Sequence, residues 1–235
     1  GEPSTDQTYT VANSAPTVTI NKAGGQADPT NTSPIEFTVV FSETVTGFDE
    51  TDVSISGIAG TPTVIVTGTG PTYTVSVSGM VSGETVTASI PANAAQDTAS
   101  NNSAASTSTD NSVVYDTSAP TITINDPNTS PATSKTITTS VSDGTLTMSN
   151  TSGSTCDGTL TFVAYSSQTF SLESDNGTKV CYKAVDALGN TGYSMSNAIT
   201  GIDTSAPSVT SFTLKTPPTS PTNADTLTFL ATFSE

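Results

Sequence analysis

The chain has 235 residues, a length that allows one large domain or two domains of ordinary size. Acidic residues outnumber basic ones by 21 to 5, and the net charge of -16 excludes the positive surface that nucleic acids and anionic membranes require. Hydrophobic residues form 33% of the sequence and aromatic residues 6%, too few for one large core but enough for small sandwiches with solvated outer faces. Because Thr and Ser are abundant and no apolar stretch is long enough to span a bilayer, we expect an all-β fold without membrane insertion.

Internal repetition is the strongest pattern in the sequence. The tripeptide Ser-Ala-Pro occurs three times, at intervals of about 104 and about 87 residues, and both intervals fit a seven-stranded sandwich. Each copy precedes alternating residues typical of a strand, and a second strand-like run that ends at Ser plus an acid follows each copy. The tripeptide lies at 14–16, 118–120 and 205–207, and the second runs lie at 35–43, 136–143 and 227–235.

The repetition predicts tandem immunoglobulin-like Greek-key β-sandwiches of about seven strands each. The predicted segments are the end of a preceding repeat at 1–13, complete repeats at 14–117 and 118–204, and the start of a further, truncated repeat at 205–235. In chain order, the first complete repeat has predicted strands near 17–21, 35–42, 52–56, 63–66, 72–78, 84–90 and 112–116. The second has predicted strands near 121–125, 135–141, 145–149, 158–165, 168–173, 178–185 and 193–199.

The two cysteines, Cys156 and Cys181, both lie in the second repeat. A pair of cysteines within one small domain is most simply a disulfide, which indicates an oxidising compartment. Two buried free thiols are the alternative. Metal binding by two cysteines is disfavoured because the chain contains no His.

Three stretches of the chain carry a family resemblance. They are Phe37–Val53 (FTVVFSETVTGFDETDV), the two Asp-Thr-Ser-Ala-Pro linkers at 116–120 and 203–207, and Val185–Thr191 (VDALGNT). In these residues the chain resembles the bacterial Ig-like repeats that occur in many copies in large surface adhesins and other extracellular proteins. The resemblance implies a β-sandwich fold, an extracellular or cell-surface location and a role in extending or presenting another domain.

Acidic side chains are predicted to gather where one repeat joins the next. In a seven-stranded sandwich, the loops after the second, fourth and sixth strands lie at the end where the chain enters. This places Asp116 of the linker beside Asp143, and the pair Asp186 and Asn190 follows in a later loop at the same end. Carboxylate and amide oxygens from separate segments are ligands that Ca²⁺ takes, so we predict a calcium site that stiffens this joint. Ordinary turn chemistry of Asp and Asn is the alternative.

The other two joints contain parts of the same ligand set. In the first repeat the equivalent residues are Glu43, Asp97 and Asn101, and the third joint has Asp203 in its linker. We extend the calcium prediction to these positions.

Function is predicted to be structural. Without His there is no usual activator for a Ser or Cys nucleophile, and without Trp a common sugar-binding platform is missing, so no enzyme activity is expected. The expected partners are neighbouring repeats of the same chain and, through domains outside this sequence, a glycan or protein receptor on a cell surface. Two alternatives stay open, namely direct binding of carbohydrate or protein by the repeats, and self-assembly into an extracellular filament by strand addition.

Overall fold

The computed structural model describes residues 14–126, 130–216 and 225–234. Antiparallel β-sheets dominate these residues, which confirms the prediction of an all-β fold. No helix in this part of the chain is long and apolar enough to cross a membrane. The strands are β1 (Val18–Lys22), β2 (Ile35–Phe41), β3 (Ser54–Ser56), β4 (Thr63–Thr69), β5 (Thr72–Ser78), β6 (Glu84–Ser89), β7 (Ser112–Tyr115), β8 (Ile122–Asn125), β9 (Lys135–Val141), β10 (Thr145–Thr151), β11 (Val163–Ala164), β12 (Gln168–Phe170), β13 (Lys179–Val185), β14 (Thr191–Met195), β15 (Val209–Thr216) and β16 (Thr228–Phe233).

Strands β1–β7 form two sheets around one hydrophobic core, which we call the first sandwich. The strand orders are β1-β2-β5-β4 and β3-β6-β7. Alternation along each strand decides which side chains enter the core, because successive side chains point to opposite faces of a sheet. In β2 the buried residues are Ile35, Phe37, Val39 and Phe41, and the residues between them are partly or fully exposed. Each such side chain stabilises the fold by about 1.5–3 kcal/mol when it is fully buried.

Strands β8–β14 form the second sandwich, with strand orders β12-β9-β8 and β11-β10-β13-β14. Its core joins Ile137 and Phe170 of the first sheet to Met148, Val180 and Tyr182 of the second. The fourth strand distinguishes the two sandwiches. In the first sandwich β4 pairs with β5, whereas in the second β11 pairs with β10 and so lies in the opposite sheet.

The strand predicted near 158–165 is present only as Val163–Ala164. The residues before it form a turn, in which the backbone N–H of Thr159 donates to the Asp157 carboxylate at 2.9 Å. The predicted disulfide is confirmed, since Cys156 is bonded to Cys181 in the buried centre of β13. The disulfide therefore ties this irregular loop to the core of the second sandwich.

Strands β15 and β16 pair with each other in an antiparallel ribbon. Phe212 and Phe229 stack on it with their ring centroids 5.1 Å apart, and both are exposed. This ribbon follows the third Ser-Ala-Pro, just as β1–β2 and β8–β9 follow the first two.

The contacts divide the chain into two compact units. The first contains the described residues up to Pro120 together with Asp143–Thr145 and Val185–Gly192. The second contains Thr121–Ser142, Leu146–Ala184 and the described residues from Tyr193 onward. The loops that carry Asp143 and Asp186 thus belong to the first unit, although in sequence they connect strands of the second sandwich.

Candidate functional site

The loop after β13 contains two predicted calcium ligands, Asp186 and Asn190. The Oδ1 atom of Asp186 accepts hydrogen bonds from the backbone N–H groups of Leu188 at 2.8 Å and Asn190 at 2.9 Å. Its second carboxylate oxygen accepts a bond from the side-chain amide of Asn190 at 2.8 Å. The loop therefore folds around its own carboxylate, as Asp commonly does in turns.

The first sandwich has an equivalent loop between Asp97 and Asn101. The Oδ1 atom of Asp97 accepts bonds from the N–H groups of Ala99 and Asn101, both at 2.8 Å. The Asn101 side chain donates to the second carboxylate oxygen, also at 2.8 Å. No residue between Asp and Asn is the same in the two loops. The Asp-x-x-x-Asn spacing is therefore what the two loops share, and it carries the same hydrogen bonds in both.

The hydrogen bonds favour the ionised form of both carboxyl groups. In Asp97, the bond from the Asn101 side chain and then the bonds from the backbone hold the pKa below its ordinary value of 3.8. In Asp186, burial raises the pKa, but the bonds from Asn190 and from neighbouring backbone amides outweigh this effect and the pKa is lowered. At neutral pH each loop therefore contains a charged carboxylate, and the lone pairs of that carboxylate already accept hydrogen bonds from N–H groups.

The fourth residue of each loop has a positive φ angle. Gly189 has φ +87° and Ser100 has φ +65°. Glycine adopts this left-handed region without penalty, whereas other residues pay roughly 1–2 kcal/mol. The two loops therefore have the same positive φ angle at the fourth position, but in the first sandwich this position is Ser100, a residue for which a positive φ is unfavourable.

Asp116 of the linker contacts the second loop through its backbone. The side-chain amide of Asn190 donates to the carbonyl oxygen of Asp116 at 3.0 Å. The Asp116 carboxylate instead accepts a bond from the Ser82 hydroxyl at 3.0 Å and one from the Ser118 N–H at 2.9 Å. The Asp116 carboxylate thus accepts its hydrogen bonds at the start of the linker and from Ser82.

Asn31 is a contact of the loop that sequence reasoning missed. Its side-chain amide donates to the carbonyl oxygen of Leu188 at 2.8 Å and to the Oδ1 atom of Asn190 at 3.1 Å. Asn31 lies 159 positions before Asn190. Its Asn-Thr-Ser-Pro motif recurs at 128–131, but nothing in that motif pairs Asn31 with Asn190.

Asp143 precedes a glycine that packs closely against the same loop. Gly144 has φ +79°, and a Cβ atom at this position would collide with the carbonyl oxygen of Val185 and lie 2.8 Å from the Cα of Asp186. The linker, the turn after β9 and the loop after β13 are therefore neighbours within the first compact unit. The structure brings together the backbones of the three segments from which the ligand set was predicted.

The remaining predicted ligands are placed differently. Glu43 is exposed after β2, and the turn that follows it is bridged to the Asp97 loop by two backbone bonds between Thr46 and Gln96, at 2.8 and 3.0 Å. Asp203 belongs to the second compact unit, and its carboxylate accepts a bond from the Ser205 N–H at 3.1 Å.

Residues 14–126, 130–216 and 225–234 contain no group of three or more His, Cys, Asp or Glu side chains arranged to hold a metal ion. Ca²⁺ requires six to eight oxygen ligands. At the loop after β13 the nearby oxygens are the Asp186 carboxylate, the Asn190 amide oxygen and the Asp116 carbonyl, and all three accept hydrogen bonds. An ion at this place would have to exchange N–H donors for metal contacts, and its presence stays a prediction.

No protein-family model matches the chain, and a search of curated proteins finds no sequence that matches it.

Proposed function

We propose that the chain is a non-catalytic spacer built from tandem immunoglobulin-like repeats of an extracellular or cell-surface protein of the adhesin type. The observation that carries the proposal is a threefold recurrence in the chain. Ser-Ala-Pro is followed by an antiparallel strand pair at β1–β2, at β8–β9 and at β15–β16. A protein that repeats one structural unit along its chain is suited to spanning a distance.

The strand order of the first sandwich supports the immunoglobulin-like assignment. The constant-type order places the first, second, fifth and fourth strands in one sheet and the third, sixth and seventh in the other. The sheets β1-β2-β5-β4 and β3-β6-β7 follow this order. The second sandwich differs only in its fourth strand, because β11 joins the sheet of β10.

The disulfide and the acidic composition support an extracellular or cell-surface location. Disulfides persist in oxidising compartments, and a strongly acidic surface keeps a protein soluble and separate from its neighbours. A spacer outside the cell would join neighbouring repeats and present a receptor-binding domain for a glycan or a protein.

Pulling on single molecules by the two ends of the chain tests the spacer function. A load-bearing array of two complete repeats is expected to give two separate unfolding steps. A reductant should lengthen one step by about 90 Å, because the disulfide removes 25 residues from the extending chain of the second sandwich. A chain that extends without resistance, or that unfolds in one step, would contradict the proposal.

Ca²⁺ at the joints is the second part of the proposal. It is supported by the proximity of the Asp186 loop to the Asp116 linker and by the charged state of the Asp186 carboxylate. Bound Ca²⁺ would take oxygen ligands from both the Asp116 linker and the Asp186 loop, and this link between two segments would stiffen the joint.

Thermal unfolding with excess EDTA and with millimolar Ca²⁺ at matched ionic strength tests this part. The melting temperature should rise with Ca²⁺ and not with Mg²⁺, and the rise should disappear in the double variant Asp116→Ala/Asp186→Ala. Asp157→Ala is the matched control, because Asp157 also accepts backbone hydrogen bonds in a turn. Identical curves with EDTA and Ca²⁺ would remove calcium from the proposal and leave a spacer held by packing and one disulfide.

A further inference from the structure

Three buried side-chain oxygens of the second sandwich form no hydrogen bond within the part of the chain that the structure describes. They are the Oδ1 atom of Asp126, the Oγ1 atom of Thr139 and the hydroxyl oxygen of Tyr182. Buried polar groups in proteins are almost always hydrogen-bonded, because an unsatisfied one has lost its contacts with water without gaining others. Three such oxygens in one domain therefore point to a partner other than a side chain.

Asp126 and Thr139 lie on the same inward face of one sheet. Ile124 and Thr139 are directly opposite each other in the β8–β9 pair, and Ile124 packs against the core of the second sandwich. Asp126 follows Ile124 by two positions, so its side chain points to the same face. Residues placed diagonally across an antiparallel pair are roughly 7–8 Å apart. The oxygens of Asp126 and Thr139 thus face the same part of the core.

Tyr182 reaches this part of the core from the opposite sheet. It lies in β13, its side chain is fully buried, and the centroid of its ring is 6.2 Å from that of Tyr165. The Tyr165 hydroxyl in turn accepts a hydrogen bond from the N–H of Thr139 at 3.1 Å. Burial raises the pKa of Tyr182, and the neighbouring Thr139 hydroxyl opposes this rise. The charge of Asp126 adds to the rise, which agrees with a position of this carboxylate near the same hydroxyl.

The other oxygen of the Asp126 carboxylate already has its donors. It accepts hydrogen bonds from the backbone N–H of Asn197 at 3.2 Å and from the side-chain amide of Asn197 at 2.9 Å. These two bonds orient the carboxylate with Oδ1 in the protein interior. A carboxylate only accepts hydrogen bonds, whereas the hydroxyls of Thr139 and Tyr182 both donate and accept. One small group that has donors as well as acceptors can therefore satisfy all three oxygens.

We propose that the core of the second sandwich binds one ordered water molecule between Asp126, Thr139 and Tyr182. The water donates to the Oδ1 atom of Asp126, accepts from the Tyr182 hydroxyl and shares a third hydrogen bond with the Thr139 hydroxyl. Buried waters typically form about three hydrogen bonds to polar groups that lack other partners. A Ca²⁺ ion fits the place less well, because it takes six to eight oxygen ligands.

The water would link the two sheets of the second sandwich through polar contacts in their shared core. Asp126 follows β8 and Thr139 lies in β9, whereas Tyr182 lies in β13 of the other sheet. The first sandwich has an apolar residue at the corresponding place. Val39 of β2 is the counterpart of Thr139, because each lies three residues before the Ser that follows its strand, and Val39 is fully buried. The proposed water site is therefore specific to the second sandwich.

A crystal structure of the whole chain tests the site directly. A water should lie about 2.7–2.8 Å from each of the three oxygens. Contacts of about 2.3–2.6 Å with additional oxygen ligands would identify Ca²⁺ instead and overturn the proposal. Direct hydrogen bonds among the three side chains, with no density between them, would also overturn it.

Calorimetry of single and double variants tests whether the oxygens share one partner. Tyr182→Phe and Thr139→Val each remove one hydroxyl, so either substitution should already weaken the bound water. The double variant should therefore lower the melting temperature of the second sandwich by clearly less than the sum of the two single losses, whereas independent sites would give the sum. Its transition is identified by its response to a reductant, because the disulfide lies in this sandwich.

Tyr193→Phe is the matched control for the double variant. Tyr193 is 39% exposed and lies outside the proposed site, so its effect should add to that of Thr139→Val. Additive effects of Tyr182→Phe and Thr139→Val would contradict the proposal. If one of these variants fails to fold, the crystal structure of the wild-type chain decides. The outcome leaves the spacer function untouched, since the proposed water lies within one sandwich.

Discussion

Reduction of the Cys156–Cys181 disulfide should destabilise the second sandwich and leave the first unchanged. The two cysteines are 25 residues apart. In the chain-entropy model a closed loop of this length removes about 3.5 kcal/mol of conformational freedom from the unfolded chain. For a domain of this size, each kcal/mol corresponds to roughly 4–8 °C in melting temperature, so reduction should lower the melting temperature of the second sandwich by about 14–28 °C.

Scanning calorimetry with and without a reductant measures this difference directly. The chain has no other cysteine, so the reductant changes one bond and creates no cavity. The transition of the first sandwich is the internal control. A shift of less than about 4 °C would refute the reasoning, because it would mean that the bond contributes less than about 1 kcal/mol.

Two further predictions concern the Asp-x-x-x-Asn loops. The fourth position has a positive φ angle in both loops, so glycine is favoured there. In urea unfolding, Ser100→Gly should raise the free energy of unfolding of the first sandwich by about 1 kcal/mol, and Gly189→Ala should lower the stability of the loop after β13 by a similar amount. Equal effects of the same sign would contradict this prediction. The pKa of Asp97 is lowered in the folded state, so its contribution to stability is present above the ordinary value of 3.8 and is lost as the pH falls through the folded pKa. Asn101→Ala removes the largest cause of the lowered pKa and should reduce the loss of stability of the first sandwich in acid, measured as melting temperature against pH. If the melting temperature falls with decreasing pH as steeply as in the wild type, the Asn101 bond does not lower the pKa of Asp97.

Local patterns made much of the fold predictable. The strand-like patterns of β2 and β5 specified where these strands lie, since they were predicted near 35–42 and 72–78 and the structure places them at Ile35–Phe41 and Thr72–Ser78. A half-buried strand carries this signal in its own residues, because one face meets the core and the other meets water. Near 158–165 the pattern predicted a longer strand than the observed Val163–Ala164, because the turn at Asp157 and the bond of Cys156 replace regular pairing there.

The candidate site was predictable only in part. Asp186, Asn190 and their counterparts Asp97 and Asn101 were recognisable because the loop that they form is local, and its hydrogen bonds span four residues. The contact from Asn31 was not recognisable, because it joins segments that are far apart in sequence. The same spacing of Asp and Asn also serves turn formation and metal binding, so the sequence alone could not choose between them.

Composition and local pattern alone indicate the all-β class, the recurrence of Ser-Ala-Pro with its two strand-like runs, and a disulfide as the simplest state of two cysteines in one small domain. The sheet that the fourth strand joins depends on tertiary packing, as β4 pairs with β5 but β11 pairs with β10. The parallel bridges of Thr30 to Tyr115 and of Ala132 to Ile202 likewise appear only in the folded chain. Such choices depend on contacts between segments that are distant in sequence. The free energy of these contacts comes from the packing of the whole domain, so no single stretch of residues predicts them.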